Sequence, residues 1–276
     1  MRRKRHLAWL PLGIALLASW ASPVAAGPWN RPRKGYYAKW AYNHLRAEEL
    51  ATPAGDVVPI PAFTKDEATL YAEYGVTGSV TAILDLIAYR HSDLDGFGSA
   101  GGIGDLRLAL QWQIARRGSS VLALRGAFQA PTGEETKGDG LLPTGSGVWE
   151  GEIVVGAGAS LWRGRGWVQA GVGPQFRGGD LRDGFVYEAQ VGGRVFGPVA
   201  LLLNVRGVQP WDTTPGDAST VSPAGFGDGV TYLAYGPGLI VEVARGVALQ
   251  LDVDGATNVR NIAKGPTVRF GLSVSR

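Results

Sequence analysis

The sequence predicts an all-β protein: a transmembrane, antiparallel, up-and-down β-barrel of about 12 strands. Three observations predict it. Short segments alternate apolar and polar side chains along most of the chain. About twelve such segments can be counted, an even number. The connections between them run long, short, long, short. Together these are the marks of a single-chain barrel with lipid outside and a polar lumen inside.

The clearest segment is 102–129. Leu106, Leu108, Leu110, Trp112 and Ile114 share one parity, and Asp105, Arg107, Ala109, Gln111 and Gln113 share the other. A strand sends alternate side chains to opposite faces, whereas a helix would scatter the leucines. Arg116, Arg117, Gly118 and Ser119 make a polar turn. Leu122, Leu124 and Phe128 then oppose Arg125 and Gln129, which completes a hairpin.

The other elements follow in order. Residues 27–32 are an irregular lead-in. Tyr36, Ala38, Trp40 and Tyr42 form a first strand. A long polar connection is expected over 46–66, where Pro53, Pro59 and Pro61 fall. Leu70, Ala72, Tyr74 and Val76 make the second strand, opposed by Thr69, Tyr71 and Glu73. Val80, Ala82, Leu84 and Leu86 make the third, against Thr81 and Asp85, and 91–101 reads as a polar loop. After the hairpin comes a long loop, 131–147. Seven further alternating strands then end at Val268, Phe270, Leu272 and Val274, with a second long loop at 210–229. Pro174 and Pro237 lie inside expected strands, so a bulge or a local break is expected at each. Trp149 and Trp211 fall near the ends with long loops, and Trp162 and Tyr74 near the ends with short turns, as two interfacial girdles require. Trp167 falls on the lumen parity, where a girdle residue does not belong.

Residues 1–26 read as a signal peptide. Arg2, Arg3, Lys4 and Arg5 precede an apolar run over 7–20, and Val24-Ala25-Ala26 offers a cleavage site. The run is too short to span a bilayer, which takes roughly 20 residues. The domain organisation is thus 1–26 leader and 27–276 barrel. Without the leader's four basic residues, 27 Lys and Arg become 23 against 24 Asp and Glu, a net charge of about −1. No nucleic-acid partner is expected. With no cysteine there is no lipoprotein anchor and no thiolate metal site, and 42 glycines suit strands that twist and pack closely. A secreted β-sandwich or lipocalin-like barrel is the soluble alternative. It would have to bury the aliphatic faces in a core.

Gly102-Ile103-Gly104-Asp105-Leu106, followed by Pro131-Thr132-Gly133 and Pro143-Thr144-Gly145, resembles the outer-membrane proteins named after the meta-pathway of phenol degradation. These are fold-level relatives of the long-chain fatty acid transporters. The resemblance runs from about Ala68 to the C-terminus. It implies a barrel that takes up small, hydrophobic or aromatic compounds, and it assigns no catalytic residue. Fatty acid transporters carry a long N-terminal hatch. Only about nine residues separate Gly27 from the first strand here, too few for such a plug.

Candidate lumen and selectivity residues are Asp105, Arg107, Arg125, Glu150, Glu152, Glu188, Arg194, Arg206, Asp252 and Asp254, all on the non-lipid parity. Charges there either select solutes or brace neighbouring strands. Eight strands enclose a filled interior and sixteen leave an open channel, so twelve leave both outcomes open. Asp105 reads as a side chain that bonds loop backbone rather than solute. His91-Ser92-Asp93 raises a lipid hydrolase, but adjacent strand residues point to opposite faces. His44 and His91 are distant in sequence and make a poor metal pair. Glu134, Glu135 and Asp139, and Asp212, Asp217 and Asp228, lack calcium-loop spacing and read as solvated loop charge. Gly145-Ser146-Gly147 opens a strand, so it is no phosphate cradle. No cofactor, metal or catalytic residue is expected. The expected function is a passive channel in the outer membrane, with lipid and a small solute as partners. The alternatives are a filled structural or surface-interaction barrel and an outer-membrane hydrolase.

Overall fold

The computed structural model describes residues 27–136, 142–215 and 221–276. The expected signal peptide lies outside the described residues, as do Asp139 and Asp217. The strands are β1 (Tyr36–Ala51), β2 (Val57–Gly75), β3 (Val80–Leu94), β4 (Gly98–Gly102), β5 (Leu106–Arg117), β6 (Ser120–Ala130), β7 (Glu150–Leu161), β8 (Gly166–Arg177), β9 (Gly184–Phe196), β10 (Val199–Pro210), β11 (Thr231–Ala244), β12 (Val247–Arg260), β13 (Ile262–Lys264) and β14 (Thr267–Ser275). Among the described residues the one helical element is a three-residue 3-10 turn, Trp162–Gly164.

Twelve strands form the wall. Each pairs antiparallel with its neighbour, and β1 pairs with both β2 and β14, which closes the barrel. β4 and β13 are short additions that pair with β3 and β1 at the end bearing the long loops. Closure leaves no free sheet edge in lipid, where an unmatched backbone group costs several kcal/mol. Five short turns lie at the other end. One of the tightest is at Gly118, which takes a φ of 59° that a side chain rarely tolerates.

Side-chain parity came out as expected. Leu110 is 61% exposed and Trp112 54%, while Ala109 and Gln111 on the same strand are buried. The apolar face points outward. At the loop end, exposed aromatics form a girdle in which Phe128 stacks on Trp149 at 4.9 Å and Trp211 touches Phe176 and Phe185. Tyr36, Tyr74, Trp162 and Phe196 mark the turn end.

Two expected loops are largely strand. β1 runs to Ala51 and β2 starts at Val57, so most of 46–66 is ladder, and Pro59 sits opposite Glu49. β3 runs to Leu94 and folds back as β4. The physical reason is the same in both places. Past the girdle the outer face meets water instead of lipid, so apolar alternation stops while backbone pairing continues.

Pro174 and Pro237 break the ladder without a bulge. Between β7 and β8 the pairing skips from Glu152–Gln175 to Val155–Val172 with unchanged register. Between β11 and β12 it skips from Tyr235–Gly255 to Gly238–Asp252. On their other sides the prolines pair with Phe185 and Leu203. Each ladder is therefore lost only where a proline N–H is missing.

Residues 27–31 turn into the barrel. Trp29 packs against an interior cluster of Trp167, Ala200, Leu202, Ile240 and Ala248. That cluster explains the lumenal Trp167, whose indole N–H donates to Gln190 at 2.6 Å. The lead-in is thus a short plug. It is far smaller than a hatch, in keeping with the few residues available, but it is inserted all the same.

Candidate functional site: the charged lumen and its two ends

The interior face of each strand follows from the same alternation. Arg107 and Gln111 lie two steps apart on β5, Glu150 and Glu152 one step of two apart on β7, and Asn204 and Arg206 likewise on β10. Neighbouring strands bring opposite charges together. Arg107 pairs with Glu152. Arg125 reaches Glu188 at 3.0 Å, Arg177 reaches Glu150 at 3.0 Å, and Arg194 reaches Glu242 at 3.0 Å. Arg206 meets Asp254 at 3.1 Å, and Arg269 pairs with the same carboxylate. Asp252 accepts from Asn204 at 3.0 Å and Gln250 at 2.8 Å.

Six of the ten expected lumen residues meet in one place. Arg107, Arg125, Glu150, Glu152, Glu188 and Arg206 line a mid-barrel cavity of about 230 Å³. Asp254 lines a second cavity of about 260 Å³ toward the loop end, which shares Arg206 and Tyr232 with the first. Asp252 and Arg194 face the lumen closer to the turn end. Asp105 lines neither cavity.

The turn end is closed by the plug. Gln111 donates to the Gly27 carbonyl at 2.9 Å and to Asn30 at 3.2 Å. The Arg31 N–H donates to Thr81 at 2.9 Å, and its guanidinium pairs with buried Glu73. Glycine makes the room: a Cβ on Gly158 would stand 2.6 Å from the Trp29 ring. Between Pro28, Gln111 and Gln169 only about 10 Å³ remains, roughly the space of one water.

At the loop end the described loop residues fold over the lumen. Asp105 Oδ1 accepts the N–H of Gly133 at 3.0 Å and Oδ2 accepts that of Ser146 at 2.7 Å. One carboxylate thus holds both Pro-Thr-Gly segments, which also bond each other between Glu134 and Thr144 at 2.9 and 2.8 Å. Arg90 donates to the Thr144 carbonyl at 2.5 Å, and its guanidinium lies 4.6 Å above the Phe226 ring. Beneath the loops sits an apolar cluster of Ala47, Phe63, Leu94, Leu142, Ala224 and Ala263. Asp105 is therefore a clamp on loop backbone, as its reading anticipated, although its partners lie about 28 and 41 residues away.

Other singled-out residues separate. His91 faces outward, whereas Ser92 is buried on the inner face, so the two do not form a nucleophile and base. His44 lies 2.7 Å from Asp66, and strand register sets Asp66 between His44 and His91 on the outer surface. Distance in sequence thus misjudged the two histidines. Among the described residues no cluster of His, Asp or Glu is arranged to hold a metal. Asp228 pairs with Arg182 at 2.8 Å. Asp212 accepts from Thr214 at 2.9 Å, which lowers its carboxyl pKa. Sequence reasoning missed Lys65, Glu67 and Arg90. Counting back by twos from Glu73 through Tyr71 and Thr69 reaches Glu67 and Lys65, so the signal existed inside the supposed loop.

No family model matches the chain, and no curated protein matches it. Solved structures do. An outer membrane channel from Pseudomonas putida F1 superposes with a TM-score of 0.71 at 13% identity, over 91% of this chain and 99% of that one. The KdgM porin in complex with disordered oligogalacturonate gives 0.52 at 6% identity, over 86% and 99%. The NanC porin gives 0.52 at 8% identity, over 87% and 98%. At these identities the likeness concerns architecture: the chain folds as a closed 12-stranded antiparallel barrel of the outer-membrane type.

Proposed function

We propose that this chain is a passive outer-membrane channel for small solutes, exported by its N-terminal leader and shut in the described conformation by residues 27–31. The observation that carries this reading is the lumen itself. Two cavities, sharing Arg206 and Tyr232, lie in the middle and outer parts of the barrel, and a constriction at Pro28, Gln111 and Gln169 stands between them and the turn end. A purely structural barrel has no need of such space. Transport needs no covalent chemistry, and His91 and Ser92 stand on opposite faces of the wall.

The resemblance implies hydrophobic or aromatic solutes, and packed apolar clusters stand at both ends of the lumen. The belt of ion pairs between those clusters favours solutes that also carry a polar group. The test is conductance across a planar bilayer, comparing the intact chain with a variant lacking residues 27–31. Small discrete steps that enlarge in the deletion support a channel with its own plug. Silence in both correctly folded proteins refutes it and leaves the filled structural barrel, a reading favoured by the many cross-strand ion pairs.

A further inference from the structure

The outer cavity joins two kinds of wall. Leu45, Phe226 and Ile262 supply hydrocarbon, and Lys65, Arg90 and Arg206 supply positive charge. The nearby acids do not match these cations one for one. Glu67 is shared by Arg90 at 2.8 Å and Lys65 at 3.7 Å. Asp254 is shared by Arg206 at 3.1 Å and Arg269. Four cations face Glu67 and Asp254, and Asp252 stands opposite Arg269 on the neighbouring strand, so the group keeps a local surplus of one positive charge. Asp105 lies apart from it, holding loop backbone. Arg90 is already occupied by the Thr144 carbonyl and the Phe226 ring. Lys65 and Arg206 each have one ion-pair partner among the described residues, and the Arg206 side chain is 45% exposed to the lumen. Excess charge in a cleft with low-dielectric walls attracts the opposite charge strongly.

We propose that this cavity binds a small organic anion, its carboxylate between Lys65 and Arg206 and its short apolar body against Leu45, Phe226 and Ile262. As the solute class of the channel, this rests on the transport reading above. The binding itself can be measured without transport.

The test is calorimetric titration of the protein extracted from outer membranes into neutral detergent, at low salt. The probes are sodium hexanoate, hexan-1-ol and hexylamine, matched in length and different in charge. Hexanoate should bind at least about tenfold more tightly than the alcohol, the amine should not bind, and added salt should weaken the anion. Equal binding of the alcohol, binding of the amine, or no binding of hexanoate overturns the site with no variant needed. Lys65→Gln and Arg206→Gln each leave the shared acid its other cation, so the barrel should persist, and each should weaken hexanoate by about tenfold. Unchanged affinity in both folded variants also overturns the proposal. Conductance separates the two readings. Binding without any conductance keeps the site and ends the channel. Conductance without binding keeps the channel and ends the site.

Discussion

Replacing Asp105 tests how the outer loop is held. Its carboxylate is buried and accepts two backbone N–H groups, from Gly133 at 3.0 Å and Ser146 at 2.7 Å. A hydrogen bond to a charged group is worth about 1.5–3 kcal/mol. The two together come to about 3–6 kcal/mol, reduced to about 2–4 kcal/mol once water reaches the freed N–H groups at the barrel mouth. The wall does not depend on these bonds, so Asp105→Ala should release the loop and leave the barrel folded. Asp105→Asn keeps one acceptor and turns an NH2 toward the other N–H, so it should lose roughly half as much. Amide hydrogen exchange reads this directly. A loss of 2–4 kcal/mol accelerates exchange by about 30- to 1,000-fold where opening is local. The peptides carrying Gly133 and Ser146 should show it, and strand peptides of β5 and β6 should not. Unchanged exchange at both loop sites in Asp105→Ala would refute the clamp. Accelerated exchange across the whole barrel would show that Asp105 supports the wall instead.

Three more outcomes are expected. Gly158→Val places a side chain where the Trp29 ring lies, so it should displace the plug and raise single-channel conductance. Arg125→Glu sets a second carboxylate beside Glu188 at a mid-barrel cavity wall, so the reversal potential in a salt gradient should move toward cation selectivity. Trp167→Ala empties the center of the turn-end cluster and should destabilise the folded barrel by about 3–5 kcal/mol, read as a lower denaturant midpoint.

The wall was legible because lipid and lumen impose a strict period of two, and no soluble surface does that so evenly. Leu106 through Ile114 revealed both faces of β5 and hence the lumenal place of Arg107. Legibility ended where the outside medium changed. Residues 57–63 are apolar on both parities and include two prolines, so no period of two marks β2 there, and Lys65, Glu67 and Arg90 went unnoticed although they line or flank the outer cavity. The plug was illegible for another reason. Pro28-Trp29-Asn30 has no period, and its partners Gln111 and Trp167 lie roughly 80 and 140 residues away. The same holds for Asp105. Its type and its setting among glycines suggested a backbone acceptor, but nothing local identifies Gly133 and Ser146 as the donors.

The seat of Trp29 has a consequence for assembly. Ala200, Leu202, Ile240 and Ala248, against which it packs, belong to β10, β11 and β12. Trp29 leaves the ribosome before any strand exists, yet its site is complete only when the final quarter of the wall has been laid down. Contacts so distant in sequence form late, because a long loop must close first. Fluorescence of Trp29 during insertion would therefore time barrel closure, and a barrel halted before β12 would leave that indole in water.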